Sequence, residues 1–182
     1  MIPTIVLASA SPRRKQLLEM LHLSISVSPA HVQEIPLPNE VPAAYARRLA
    51  RDKARAVVGQ LVLGADTIVV LDGRILEKPA DDADALKMLT ALQGQTHTVI
   101  TAICLIAGGK EYQTADVTNV TFRRCDEAML RAYVATGEPH DKAGAYGIQG
   151  LASKFVTRIE GCYFNVVGLP VALVYDMLKP FL

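Results

Sequence analysis

The chain has 182 residues, of which 51% are hydrophobic and 20% charged, with a formal net charge of +1. That length and composition suit one folded domain with its own core and exclude a disordered chain. The near-neutral balance gives no support for a nucleic-acid coat, and no stretch approaches the ~18 uninterrupted apolar residues that a membrane span needs.

Ile5 to Leu7 reads as a strand, followed by small residues and then a helix opened by Pro12. Ser11 sits where an N-cap is wanted, and Pro12 fits the first helical position, whose N–H has no partner anyway. Arg13, Arg14 and Lys15 crowd the first turn, where the helix dipole favours anions. Such a start is either built to receive an anion, phosphate above all, or simply carries solvated basic residues. Ala8-Ser9-Ala10 imitates a leader cleavage site, but no charged segment precedes it. Leu23 to Ser28 alternates apolar and small polar residues and reads as a second strand; the proline-punctuated stretch from Pro29 to Pro42 reads as a loop. The helix starting near Pro42 separates its faces: Arg47, Arg51 and Arg55 on one line, Tyr45, Leu49 and Val57 on another. Lys53 falls within the apolar line. A lysine there either snorkels to the edge of the core or points its ammonium into a cleft. The cleft is favoured, because the arginines already supply the exposed face.

Leu61 to Leu71 is the strongest strand, and Asp66 lies inside it. A carboxylate in such a run is costly unless paired, metal-bound or at the open end of the strand. Gly64 signals a bulge or a close backbone approach. Asp72-Gly73 turns the chain into Arg74-Ile75-Leu76, and symmetric pairing about that turn predicts Lys78 close to Asp66. Asp81 caps a helix over Asp82 to Leu92, and Thr98 to Ile106 with Glu111 to Phe122 forms a long hairpin around Gly108-Gly109. Asp126 caps a helix that stops at Gly137, and a glycine-dense loop follows from Asp141 to Gly150. Phe155 to Ile159 and Tyr163 to Val167 read as further strands, and a closing helix begins at Pro170. Residues 1–182 thus read as one α/β unit with mixed strands. The apolar closing strand and helix leave a homodimer open. Cys104, Cys125 and Cys162 are far apart and lack metal-ligand spacing, which fits reduced thiols in a reducing compartment. A cytoplasmic protein is expected.

Several stretches look unlike plain packing: the Ser-Pro-Arg-Arg turn, Lys53, the Asp66/Lys78 pair, and the glycine-dense loop with Lys142 and Gln149. Cations and free N–H groups hold phosphates, and an amide can pair with the edge of a nucleobase. A carboxylate beside them can hold a divalent metal or orient water for attack on phosphorus. No Walker-type or GxGxxG pattern is present. His22, His31, His97 and His140 have no partner spacing and read as structural or exposed, and Tyr146 reads equally as a base-stacking or a packing residue.

Leu7-Ala-Ser-Ala-Ser-Pro-Arg-Arg14, Gly64-Ala-Asp-Thr67, Glu77-Lys-Pro79, Asp141-Lys-Ala-Gly-Ala-Tyr-Gly-Ile-Gln-Gly150 and Asn165-Val-Val-Gly-Leu-Pro170 resemble the Maf family from end to end. The resemblance implies an elongated central mixed sheet flanked by helices, in two lobes around a cleft, similar to inosine triphosphatases. It implies a nucleoside triphosphate pyrophosphatase that releases pyrophosphate with a divalent cation, Mg²⁺ or Mn²⁺. On these positions Asp66 matches the proton acceptor, and Arg13, Thr67 and Gln149 match the residues of substrate choice. Their combination resembles the branch acting on dTTP and UTP. Ser11, Arg14, Lys53, Lys78 and Lys142 match the phosphate-binding residues, and Asp66 with Glu34 would hold the metal, although His31-Val-Gln-Glu34 follows the family less closely. Two competing readings are a nucleotide-binding regulator of septum formation without turnover, and a nucleic-acid binder using Arg47, Arg51 and Arg55. The second is the weakest, since the chain lacks net positive charge and aromatic interleaving. The expected partner is a nucleoside triphosphate, with neither nucleic acid nor membrane.

Overall fold

The computed structural model describes residues 3–182. Strand β1 (Ile5–Leu7) leads into helix α1 (Pro12–Glu19), and β2 (Ile25–Val27) is followed by α2 (Pro42–Arg55). The long β3 (Leu61–Leu71) turns back into β4 (Arg74–Leu76), and α3 (Asp82–Leu92) connects to the hairpin of β5 (Thr96–Ala107) and β6 (Lys110–Phe122). Helix α4 (Glu127–Val134), a run of short 3-10 turns, β7 (Val156–Glu160), α5 (Tyr163–Val167) and α6 (Val171–Leu178) complete the chain. Among the described residues, no helix is long and apolar enough to cross a membrane.

The strands form one mixed sheet in the order β2-β1-β3-β5-β6-β7, with β4 also on β3. β1 is parallel to β2 and β3, and the remaining pairs are antiparallel. Helices cover both faces of β3, which explains its almost unbroken apolar sequence. On one face α2 packs Tyr45, Ala46 and Leu49 against Val62, Ile68 and Ile100. On the other, Leu63, Ala65 and Val69 meet Leu17, Leu89, Val99 and Leu169. Because side chains alternate along a strand, Asp66 shares the α2 face with Val62 and Ile68, whereas Thr67 shares the opposite face with Ala65.

Gly64 is where α2 lies closest to the sheet. A Cβ at this position would stand 2.2 Å from the Ala50 carbonyl oxygen and 2.7 Å from the Ala54 nitrogen, both backbone atoms that cannot step aside. Gly64→Ala is therefore expected to push the helix off the strand, at a cost of about 3 kcal/mol or more. The check is thermal denaturation: Tm should fall by roughly 10 °C, and an unchanged Tm would contradict this packing.

Two expectations are corrected. Tyr163 to Val167 forms helix α5, not a strand. A short apolar run carries no period of its own, and here tertiary bonds decide. The buried Asn165 side chain donates to the Val99 carbonyl at 3.1 Å and to Thr118 Oγ1 at 2.8 Å, and glycines at positive φ bound the helix, Gly161 at 128° and Gly168 at 124°. Second, the β3–β4 ladder pairs symmetrically about its turn but stops at Val69 opposite Leu76. Pro79 keeps Glu77-Lys78 from extending it, and the Glu77 carbonyl instead accepts the Gly144 N–H at 3.1 Å. Lys78 does not reach Asp66.

Candidate active site

Ser11 caps α1 as its sequence requires, accepting the Arg14 N–H at 3.4 Å, with Pro12 at the start of the helix. This sends Arg13 and Arg14 in different directions. Arg14 folds back into the protein, donating from Nε to the Gly168 carbonyl at 2.9 Å, from Nη1 to Ser9 Oγ at 3.2 Å and from Nη2 to Thr67 Oγ1 at 3.0 Å. Burial pulls its pKa down, against the opposing pull of Asp66 and Glu34. Arg13 reaches the glycine-dense loop, 3.1 Å from Asp141 Oδ2.

On the other side of β3, Lys53 projects from the apolar face of α2 and is buried, as the cleft reading expected. Its Nζ lies 2.6 Å from Asp66 Oδ1 and 2.6 Å from Glu34 Oε1. The ammonium thus holds two carboxylates that would otherwise repel. Burial pushes Glu34 up, but the hydrogen bond and charge of Lys53, aided by Lys78 and Arg14, prevail and hold its carboxyl below the usual range. Lys78 pairs with Glu34 at 3.6 Å. Asp66 is buried, and its second oxygen, Oδ2, has no partner among the described residues. A buried carboxylate oxygen left free costs stability unless it has a use.

The third wall is the loop from Asp141 to Gly150. Its glycines make room for side chains rather than for an approaching backbone alone. A Cβ at Gly147 would lie 2.6 Å from Lys142 Cε, and one at Gly150 would lie 2.2 Å from Glu138 Oε1. Glu138 accepts from Tyr133 Oη at 3.0 Å and from the Leu151 N–H at 2.9 Å, pinning the end of the loop. Lys142 donates to the Glu138 carbonyl and to Asp141 Oδ1, both at 2.6 Å. Asp141 therefore bridges Arg13 and Lys142, and although burial raises its pKa, these two cations pull it lower still.

Tyr146 anchors the middle of the loop: its hydroxyl lies 2.8 Å from His97 Nε2, and both rings pack edge-on against Phe122. Desolvation lowers the His97 pKa to about 4. A histidine that is harder to protonate folded than unfolded stabilises fully above the unfolded pKa, near 6.5, and loses that stability as pH falls toward the folded value. Stability should thus decline by roughly 3 kcal/mol between pH 6.5 and 4 on this account alone. Denaturation of the wild type and His97→Asn across that window tests it, the variant showing the flatter profile; parallel profiles would refute it.

These walls enclose a cleft of about 610 Å³. Ser11, Arg13, Arg14, Glu34, Lys53, Asp66, Thr67, Lys78, Lys142 and Gln149, the residues singled out from the sequence, all line it. The structure adds Ser9 and Glu138, which orient Arg14 and the end of the loop, and Asp141, whose bond to Arg13 joins segments 128 positions apart and carries no local signal. It also adds Glu77, whose pKa rises through burial and the neighbouring Asp66 and Glu34 charges.

The Maf-like protein family matches residues 4–181. The chain belongs to this family. A dTTP/UTP pyrophosphatase of Koribacter versatilis (strain Ellin345) is 52% identical over 179 residues, covering 96% of this chain and 93% of the relative. A dTTP/UTP pyrophosphatase of Syntrophomonas wolfei is 51% identical over 178 residues, covering 94% of each chain. Among solved structures, the Staphylococcus aureus Ham1 protein aligns with a TM-score of 0.44 at 16% identity, covering 65% of this Maf-like chain and 71% of its own.

Proposed function

We propose that this chain is a nucleoside triphosphate pyrophosphatase that hydrolyses dTTP and UTP to the monophosphate and pyrophosphate, with residues 1–182 acting as one domain. The observation that carries the reading is the buried Asp66, held by Lys53 on one oxygen and without a partner among the described residues on the other, in a cleft that also presents Arg13, Arg14, Lys78 and Lys142. The lysine fixes the carboxylate's orientation, and in this reading Oδ2 accepts a proton from water attacking the α-phosphorus. Arg13, Lys78 and Lys142, with α1's N-terminus, supply positive charge and donors for the triphosphate, and Arg14 is braced behind them. Gln149, exposed at the mouth of the cleft, offers both a donor and an acceptor to a base edge.

The donor set suits a divalent cation. The free Oδ2 of Asp66 and the half-exposed Glu34 carboxylate are hard oxygen donors of the kind Mg²⁺ and Mn²⁺ take. No group of three or more histidine, cysteine, aspartate or glutamate side chains forms a metal cage among the described residues. Magnesium commonly completes its coordination with substrate phosphates and water. The bound cation would neutralise developing charge on the phosphates.

The test is pyrophosphate release from dTTP, UTP, CTP, GTP and ATP with Mg²⁺ or Mn²⁺. Release from dTTP and UTP over the others supports the assignment. Release from purines instead would overturn the base reading while keeping the chemistry. Nucleotide binding without any release would replace the enzyme by a regulator.

A further inference from the structure

A buried chain of hydroxyls runs from the cleft into the core behind it. Thr67 and Thr101 stand opposite each other in the β3–β5 ladder, with their Oγ1 atoms 2.9 Å apart. Thr101 is fully buried, and its Oγ1 lies 2.9 Å from the main-chain carbonyl oxygen of Asn165 in α5. Each hydroxyl has one proton to give and two lone pairs. A carbonyl has no proton, so the short Thr101–Asn165 contact requires Thr101 to donate there. Were the proton of Thr101 turned toward Thr67 instead, two oxygens would face each other at 2.9 Å with nothing between them. The proton of Thr101 is thus committed, and the contact with Thr67 requires Thr67 to be the donor. Among the described residues, the alternative acceptor for the Thr67 proton is also protein, the Gly168 carbonyl at 3.5 Å. One lone pair of Thr67 takes the Arg14 Nη2–H at 3.0 Å. What remains for the cleft is a single lone pair.

A hydroxyl with no proton left to give cannot bind a phosphate oxygen or a base carbonyl, because both are acceptors. It can receive a donor. Resting on the proposed preference for dTTP and UTP, the donor is narrowed by what these nucleotides share. Thymidine lacks a 2′-hydroxyl, and the 3′-hydroxyl is common to all nucleotides and selects nothing. The imino N3–H belongs to thymine and uracil, whereas the N3 of cytosine is a bare lone pair. We propose that Thr101 is a positioning residue for base selection: by locking the Thr67 hydroxyl as a lone-pair acceptor, it admits the N3–H of uracil and thymine and repels cytosine.

The experiment compares kcat/KM for UTP and CTP in the wild type, Thr101→Val and Thr101→Ser, with Tm for each and with calorimetric binding of UMP and CMP as a readout that needs no turnover. Valine keeps the shape and removes the hydroxyl, so Thr67 becomes free to rotate its proton toward cytosine. The expected result is a UTP-to-CTP ratio lowered roughly tenfold in Thr101→Val and restored in Thr101→Ser, with the UMP-to-CMP affinity ratio moving in parallel. A Thr101→Val protein that is less stable but keeps the wild-type ratio would overturn the proposal, since a merely structural threonine does no more than that. A changed requirement for Mg²⁺ with the ratio intact would also overturn it, by placing the lone pair on a cation. A wild type that hydrolyses and binds both pyrimidines alike would sink the substrate reading itself, and this proposal with it. A wild type that discriminates while Thr101→Val discriminates equally well sinks only this proposal.

Discussion

Asp66→Asn is expected to lower kcat for pyrophosphate release by about 10³-fold with little change in Tm. Asparagine keeps the shape and can still accept a hydrogen bond from Lys53 through its amide oxygen, but it cannot take a proton from water. Lys53 also retains Glu34 at 2.6 Å, so the ammonium is not stranded. Steady-state kinetics on UTP and a melting curve read the two halves separately. Residual turnover near the wild-type rate would remove Asp66 from the proton-accepting role, and a collapse in Tm would mean that its ionised form holds the fold.

Lys53→Met is the more damaging change, because it should cost both turnover and stability. The wild-type ammonium sits between Asp66 and Glu34 at 2.6 Å from each. Methionine fills the volume and leaves two carboxylates facing each other with Asp66 buried, and breaking a buried pair in this way costs about 3 kcal/mol. Turnover should fall by at least about 100-fold, since Asp66 loses the contact that aims it. The stability deficit carries a pH signature. Protonating one carboxylate removes the repulsion, so the gap in stability between variant and wild type should narrow as pH falls through the carboxylate range and be widest at neutral pH. A gap that stays constant with pH would mean that Lys53 contributes packing alone.

Much of this site was legible in the sequence because its signals are local. The Ser11 cap with Pro12, the Asp81 and Asp126 caps, and Lys53 on the apolar line of α2 all appear in the structure where their spacing places them. The failures share one cause. Pairing counted from the Asp72-Gly73 turn put Lys78 beside Asp66, but the ladder ends two residues before Lys78 and Lys53 takes that place. The five residues of α5 took their conformation from the hydrogen bonds of Asn165 to Val99 and Thr118, partners more than forty positions away. In the sequence Arg48 is one more basic residue of α2 with no signal of its own. In the structure it grips Glu40 with two bonds of 2.7 Å and the Ile35 carbonyl at 2.9 Å, holding the loop that carries Glu34. Long-range polar contacts leave no period behind, so spacing alone does not reveal them.

The bond from Arg14 to the Gly168 carbonyl joins residues 154 positions apart, and it has a bearing on how the protein is made. Translation delivers the basic turn at the start of α1 early, yet the acceptor that braces Arg14 is made 154 residues later. Contacts of such sequence separation form late and slow folding. A nascent chain therefore carries its basic turn long before Arg14 is braced against the Gly168 carbonyl. Chains stalled before α5 should sediment with ribosomes and show no pyrophosphate release, however well their first strands have paired.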